Sequence, residues 1–353
     1  MPDPAPTCDV PIDPLALTSE QFCRAGKRRD HPLTEPLALY RRVLREGHRP
    51  DVASVVPPDP PIGVIEREGP TRKFTMRLAD GLETESVILP QSSRAGRPRQ
   101  SLCVSSQVGC AMGCTFCETA QMGLLRNLTP AEIVAQWYAA RFTLDAAITH
   151  VVFMGMGEPL DNLESVLQAI RVLTDHNGAA IPAAKISVST VGRIDGIERL
   201  AAFVREPGFR QLRLAVSINA PNDAVRDEIM PINRAMPMAA LRDTLLAWPA
   251  RPRLPILIEY VLIPGVNDAS AHAEELCRFL RPLSYTLNVI PYNPRRNSPW
   301  PAPTEATITR FVTRVQAAGG FVKRRQTMGR SVMGACGQLG NPAFRRRRPA
   351  GCG

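Results

Sequence analysis

The sequence predicts an α/β protein, a partial barrel of six βα units with a small N-terminal accessory domain of helix and β-hairpin. Three observations carry this expectation. Six short β-branched runs alternate with helical patterns between residues 101 and 319. Runs apolar along their whole length suit strands buried on both faces, as in a parallel sheet covered by helices. The residues of chemical character fall just after those runs, at the strand ends where α/β barrels carry their active sites.

Residues 14 to 48 have helical spacing, which Pro57, Pro58, Pro60 and Pro61 end. TRKFTMRLADGLETESVILP, from Thr71 to Pro90, reads as a hairpin turning at Asp80-Gly81. SSRAGRPR, from Ser92 to Arg99, reads as a linker, so the expected domains are residues 1–95 (accessory), 96–341 (core) and 342–353 (basic tail). In the core SLCVSS is the first strand and TPAEIVAQWYAARF its helix. The following pairs are HVVFMG with NLESVLQAIRVLTDH, KISVST with IDGIERLAAFV, RLAVSIN with MPMAALRDTLLAW, ILIEYVLI with SAHAEELCRFL, and TLNVIP with TEATITRFVTRVQAAG.

A chain of 353 residues with 44% hydrophobic content can bury a large core. MPDPAPTCDV lacks the basic start and apolar run of an export signal, and the apolar stretch around Ile256 to Val266 is short and carries Glu259. The expectation is a cytoplasmic protein that does not enter a membrane. Nine cysteines then point to metal-binding or catalytic thiols rather than a disulfide framework. Cys8, Cys23, Cys277 and Cys352 match no motif and are expected to be bystanders. The net charge of +10 and pI near 9.5 favour a polyanionic partner. Arg345 to Arg348 suits an electrostatic arm and a solvated tail equally.

Cys110, Cys114 and Cys117 stand as CxxxCxxC in GCAMGCTFCETAQMG. Three thiolates on a four-iron four-sulfur cluster leave one iron open to an outside ligand. A zinc knuckle or three ordinary core thiols are the plainer alternatives, but zinc sites usually pair CxxC with further Cys or His nearby, and the nearest histidine is His150. The spacing, with Phe116 before the last cysteine, is similar to the signature of radical S-adenosylmethionine (SAM) enzymes.

The resemblance extends further. SLCVSSQVGCAMGCTFCETAQMGLLRNLTPAEIVAQ (Ser101 to Gln136), FMGMGEPLDN from Phe153, ISVSTVG from Ile186, SINAPNDAVRDEIMPIN from Ser217, IEYVLIPGVNDASAHAEEL from Ile258 and ACGQL from Ala335 resemble, in order, the RlmN/Cfr family of radical SAM RNA adenine methyltransferases. The resemblance covers roughly residues 70 to 341 and is nearer the RlmN branch. It implies a radical SAM barrel with one 4Fe-4S cluster on Cys110, Cys114 and Cys117, and two SAM molecules per turnover. SAM contacts carry over to Gly157, Glu158, Ser189, Ser217, Ile218, Asn219 and Asn293.

An adenine carbon flanked by nitrogens is a poor nucleophile. The resemblance therefore implies that Cys336 first takes a methyl group from one SAM, and that a radical made from a second SAM activates that methyl for addition to the ring. Glu85 matches the family's substrate-side base; a solvated hairpin charge is its bland reading. Cys103 matches the thiol that releases the protein–RNA adduct through a transient disulfide; a buried strand thiol is the alternative. The implied product is an adenosine methylated at carbon 2 in 23S rRNA, with transfer RNA a second candidate substrate. Carbon 8 of the same base is the near alternative, and an iron–sulfur redox or electron-transfer protein the distant one. The implied protein is a monomer that draws electrons from a donor such as flavodoxin or ferredoxin. Two departures stand out: Asn219 where the family has histidine, and SVMG before ACGQL where it often has residues such as DIDA.

Overall fold

The computed structural model describes residues 10–29, 31–91, 99–249 and 254–345. Helix α1 (Ser19–Lys27) opens with a capping box in which Thr18 Oγ1 accepts from the Gln21 N–H and the Gln21 side chain accepts from the Thr18 N–H. Helix α2 (Pro36–Glu46) ends at Gly47, which takes the left-handed conformation that stops a helix. The pair rests on the outer face of the barrel, where the Ser19 N–H donates to Asp175 and the Arg41 guanidinium donates to Asn177 Oδ1 at 2.7 Å.

Strands β1 (Ile62–Glu68), β2 (Thr71–Arg77) and β3 (Glu83–Gln91) form an antiparallel meander. The expected hairpin is β2 and β3, turning at Asp80-Gly81; β1 is an added strand that the prolines before it and its polar residues hid. Next come β4 (Arg99–Cys103), β5 (Gln107–Gly109), α3 (Glu118–Met122), β6 (Leu124–Asn127), α4 (Pro130–Tyr138), β7 (Ile148–Phe153), α5 (Leu163–Thr174), β8 (Ile186–Thr190), α6 (Ile194–Phe203) and β9 (Arg213–Ser217). The chain continues through α7 (Asp223–Ile229), α8 (Met238–Leu246), β10 (Ile256–Leu262), α9 (Ser270–Leu280), β11 (Tyr285–Pro291), α10 (Glu305–Ala317) and β12 (Val322–Arg324).

The six expected core strands are β4, β7, β8, β9, β10 and β11, and they pair in parallel in that order. Short β12 adds to β11. At the other edge β3 pairs antiparallel with β4, so the sheet runs continuously across the expected boundary at residue 95; most of the expected linker, residues 92–98, lies outside the described residues. The helices bury one stripe each. In α5 the stripe is Leu163, Val166, Leu167, Ile170 and Leu173, the spacing of a helix covering a sheet. Among the described residues no helix is long and apolar enough to cross a membrane.

Candidate active site

The cluster loop is built from a narrow neck. β5 and β6 pair antiparallel on either side of it, and the Cys110 N–H donates to the Gly123 carbonyl at 3.1 Å. Gly109 lies at φ +76, and a Cβ there would stand 1.8 Å from the Gly123 carbonyl oxygen, so no side chain is possible at this point. Beyond the neck the loop is tied to the barrel: the Thr115 N–H donates to the Ile229 carbonyl at 3.0 Å, and Arg295 Nε donates to the Thr115 carbonyl at 2.8 Å.

These ties hold Cys110, Cys114 and Cys117 on the wall of a cavity, with Met112, Phe116 and Tyr292 as apolar neighbours. All three are free thiols whose pKa burial pushes up. Bound iron would reverse that shift, since a metal deprotonates the thiol that coordinates it. Among the described residues no three Cys, His, Asp or Glu side chains converge as a single ion would require. Thiols spread around a cavity suit a cluster instead, because each binds a different iron.

The opposite wall comes from the strand ends. After β7, Gly157 takes φ +99, with Gln107 filling the space a Cβ would need. Glu158 follows, almost fully buried. Its carboxylate accepts from the Leu160 N–H (3.0 Å) and the Val191 N–H (2.9 Å), and burial raises its pKa to about 7 despite those bonds. Ser189 on β8, Ser217 at the end of β9, and Asn219 line the same cavity, while Ile218 is buried in the core beside them. Asn219 is left-handed at φ 55, a conformation asparagine tolerates. Its Oδ1 accepts from the Val261 N–H at 2.9 Å, so the amide braces β10 as well as facing the cavity.

Cys336 lines this cavity and also a second one, whose wall includes Val87, Leu89, Cys103 and Arg325. It stands on the partition between the two, exposed to their space although protein surrounds it. Cys103, at the end of β4, faces the second cavity only. Both are free thiols, and burial pushes both pKa values up. Asn293 lies on the second cavity rather than the first, and both ends of its amide are engaged: Oδ1 accepts from Arg330, and Nδ2 donates to the Cys336 carbonyl at 3.3 Å.

Glu85 is not the solvated hairpin charge of its bland reading. It is buried, with its pKa raised by that burial, and its Oε2 accepts from the Gly340 N–H at 2.9 Å while Lys73 Nζ lies 3.9 Å from Oε1. Glu85 points to the same face of β3 as Val87 and Leu89. The arginine run enters the described residues only through Arg345, whose guanidinium lies 3.8 Å from buried Glu118 at the foot of α3. Among the remaining cysteines, Cys23 and Cys277 face neither cavity, and Cys8 and Cys352 lie outside the described residues.

Three further residues of this site lie inside the motif blocks but are not singled out by the sequence reading, because their partners are distant in sequence. Arg226 is fully buried, and its guanidinium donates to the carbonyls of Val191, Ser217 and Ile218, tying the ends of β8 and β9 together; desolvation lowers its pKa to about 10. Asn267 donates to the Asn219 and Val261 carbonyls, both at 2.7 Å. Glu259 lines the first cavity, where its Oε1 accepts from Asn288 Nδ2 at 2.8 Å and burial raises its pKa.

The profile of the radical SAM superfamily matches residues 104–280, which include the cluster loop and the walls contributed by β7 to β10. The chain belongs to the radical SAM superfamily. Within this superfamily it is 41% identical over 289 residues to the probable dual-specificity RNA methyltransferase RlmN 1 of Protochlamydia amoebophila, covering 82% of this chain and 78% of the relative. It is 44% identical over 276 residues to the dual-specificity RNA methyltransferase RlmN of Alkalilimnicola ehrlichii, covering 77% and 74%. The solved structure of a radical SAM methyltransferase from Sphaerobacter thermophilus superposes with a TM-score of 0.83 at 35% identity, over 93% of this chain and 99% of that one. The chain is therefore a radical SAM methyltransferase of the RlmN family, and membership implies a 4Fe-4S cluster and SAM.

Proposed function

We propose that this radical SAM enzyme methylates carbon 2 of an adenosine in 23S rRNA, and in transfer RNA, with Cys336 as methyl carrier. The observation that carries the reading is the position of Cys336 on the partition between two cavities, one bearing three thiols and the other bearing Cys103. A carrier thiol must face its methyl source on one side and its acceptor on the other.

In this reading Cys110, Cys114 and Cys117 hold the cluster, which when bound supplies the electron for reductive cleavage of SAM. Gly157, Glu158, Ser189 and Ser217 to Asn219 receive SAM, and Asn293 steadies the backbone of Cys336 beside it. The acceptor base enters the second cavity. Glu85 takes the ring proton from the β3 face it shares with Val87 and Leu89, and its raised pKa suits a proton acceptor. Cys103 releases the product. The net charge of +10 favours RNA through phosphate contacts. The enzyme acts as a cytoplasmic monomer supplied with electrons by a flavodoxin or ferredoxin.

Mass spectrometry of nucleosides from ribosomal and transfer RNA treated anaerobically with reconstituted enzyme, SAM and reductant tests this directly. The expected product is 2-methyladenosine. Appearance of 8-methyladenosine would overturn the carbon-2 assignment, and cleavage of SAM without RNA methylation would overturn the function.

Glu158 makes SAM binding pH-dependent. With a pKa of about 7 it is largely protonated below neutrality and ionised above it, and only the carboxylate can pair with the ammonium group of SAM. SAM affinity measured by anaerobic equilibrium dialysis should therefore rise as pH rises through about 7. Glu158→Gln should bind on the order of tenfold more weakly at pH 8 and show a flat profile. An unchanged profile in that variant would remove Glu158 from the SAM site.

A further inference from the structure

The segment carrying Cys336, residues 325–341, contains neither helix nor strand, so its shape depends on outside anchors. The barrel supplies one set. Asn293 holds Arg330 and the Cys336 carbonyl, Gln338 Nε2 donates to the Pro294 carbonyl at 2.9 Å, and the Glu118 N–H donates to the Gly337 carbonyl at 2.7 Å. The N-terminal meander supplies the other. Glu85 accepts from Gly340 after the cysteine, and Glu68 grips the chain before it.

Glu68, the last residue of β1, lines neither cavity. Its Oε1 accepts from the Gly329 N–H at 2.7 Å, and its Oε2 accepts from the Ser331 N–H at 2.6 Å and the Ser331 hydroxyl at 2.5 Å. Both oxygens of one carboxylate thus hold a single turn. That turn closes on itself through the Gly334 N–H donating to the Gly329 carbonyl at 2.7 Å, and it lies against Thr71 and Lys73 of β2. An acidic residue at position 331 would set two carboxylates together, whereas the serine present supplies donors.

We infer that Glu68 is a positioning residue for Cys336: it pins the turn 329–334 to the β1–β2 hairpin and so sets where the thiol stands between the two cavities. The inference rests on the reading of Cys336 as methyl carrier. A thiol that serves two sites must be placed to within a fraction of an ångström of each, and a displacement of about 1 Å can cost on the order of a hundredfold in rate. Glu68 touches no reacting atom, so its loss should uncouple the reaction rather than remove a step.

The variants Glu68→Ala, Glu68→Gln and Ser331→Ala form a graded series. Alanine removes three acceptor contacts. Glutamine keeps one oxygen but turns an amide nitrogen toward N–H donors, and Ser331→Ala loses only the hydroxyl bond. Two measurements need neither cluster nor RNA: hydrogen exchange across residues 329–340, and the rate of Cys336 alkylation by iodoacetamide. Both should rise in the order Ser331→Ala, Glu68→Gln, Glu68→Ala. With reconstituted enzyme and RNA, the ratio of 5′-deoxyadenosine released to methyl transferred should rise about tenfold in Glu68→Ala, with iron content unchanged. Unchanged exchange and alkylation in Glu68→Ala would overturn the inference, and so would looser exchange with a wild-type ratio. Wild-type enzyme that transfers no methyl to RNA would sink the proposed function while the exchange and alkylation series still decided whether Glu68 pins the turn.

Discussion

Cys103→Ala protein expressed in cells should copurify with covalently attached RNA that survives denaturation, and the double variant Cys103→Ala, Cys336→Ala should not. The two thiols share the second cavity but fail at different stages. On the proposed reading, loss of Cys336 removes the methyl carrier, so no bond to RNA forms and methylation should be abolished. Without Cys103 the carrier can still load and attack, but the sulfur–carbon bond to the base has no second thiol to break it. On the proposed reading the Cys103 thiolate attacks the Cys336 sulfur, the S–S bond forms as the sulfur–carbon bond breaks, and the electron pair left on the methylene carbon takes up a proton to complete the methyl group on the base. Burial raises the Cys103 pKa, so on this reading the step needs a neighbouring base to take the Cys103 proton. A denaturing gel with and without ribonuclease reads the adduct. RNA-free Cys103→Ala protein with full methyl transfer would reduce Cys103 to a packing residue of β4.

The second large effect lies at the neck of the cluster loop. Gly109→Ala should leave the barrel folded and yet reduce bound iron from about four atoms per chain to nearly none, with SAM cleavage lost in proportion. Alanine at φ +76 is strained by about 1–2 kcal/mol. The larger obstacle is the Gly123 carbonyl, which cannot move aside because it accepts from the Cys110 N–H. The neck must open, and Cys110 moves away from Cys114 and Cys117. Iron analysis after anaerobic reconstitution, with the melting transition as control for the fold, checks this. Full iron content in the variant would show that the neck does not shape the cluster site.

Most of the barrel was legible because its strands are continuous apolar runs and its helices carry one apolar stripe. All six expected core strands form, in the expected parallel arrangement. The missed strands β1, β5, β6 and β12 are short or polar: β1 alternates partly exposed residues at the sheet edge, β5 and β12 have three residues each, and β6 has four. The cysteine loop was equally legible as a unit, because residues so close in sequence form their own loop. Tertiary partners were not. Arg226 looks like any surface arginine of an amphipathic helix until the structure buries it under three carbonyls. Glu68 and Glu85 each hold a residue more than 250 positions away, and no local pattern records that. The boundary drawn at residue 95 followed composition, while the β3–β4 pairing that crosses it is a matter of strand register.

The clasp between the meander and the Cys336 segment also bears on how the protein comes to life on the ribosome. The bond from Gly340 to Glu85 spans 255 residues of sequence, and closing a loop of that length costs about 5 kcal/mol in chain entropy before any contact offsets it. The clasp should therefore close late, onto a barrel already formed. A nascent chain arrested before residue 329 would hold Cys110, Cys114 and Cys117 without Cys336, and so, on the proposed reading, could be loaded with iron while unable to methylate RNA. If ribosomal RNA is the substrate, as proposed, synthesis order alone would keep the half-built enzyme from modifying the particle that is making it.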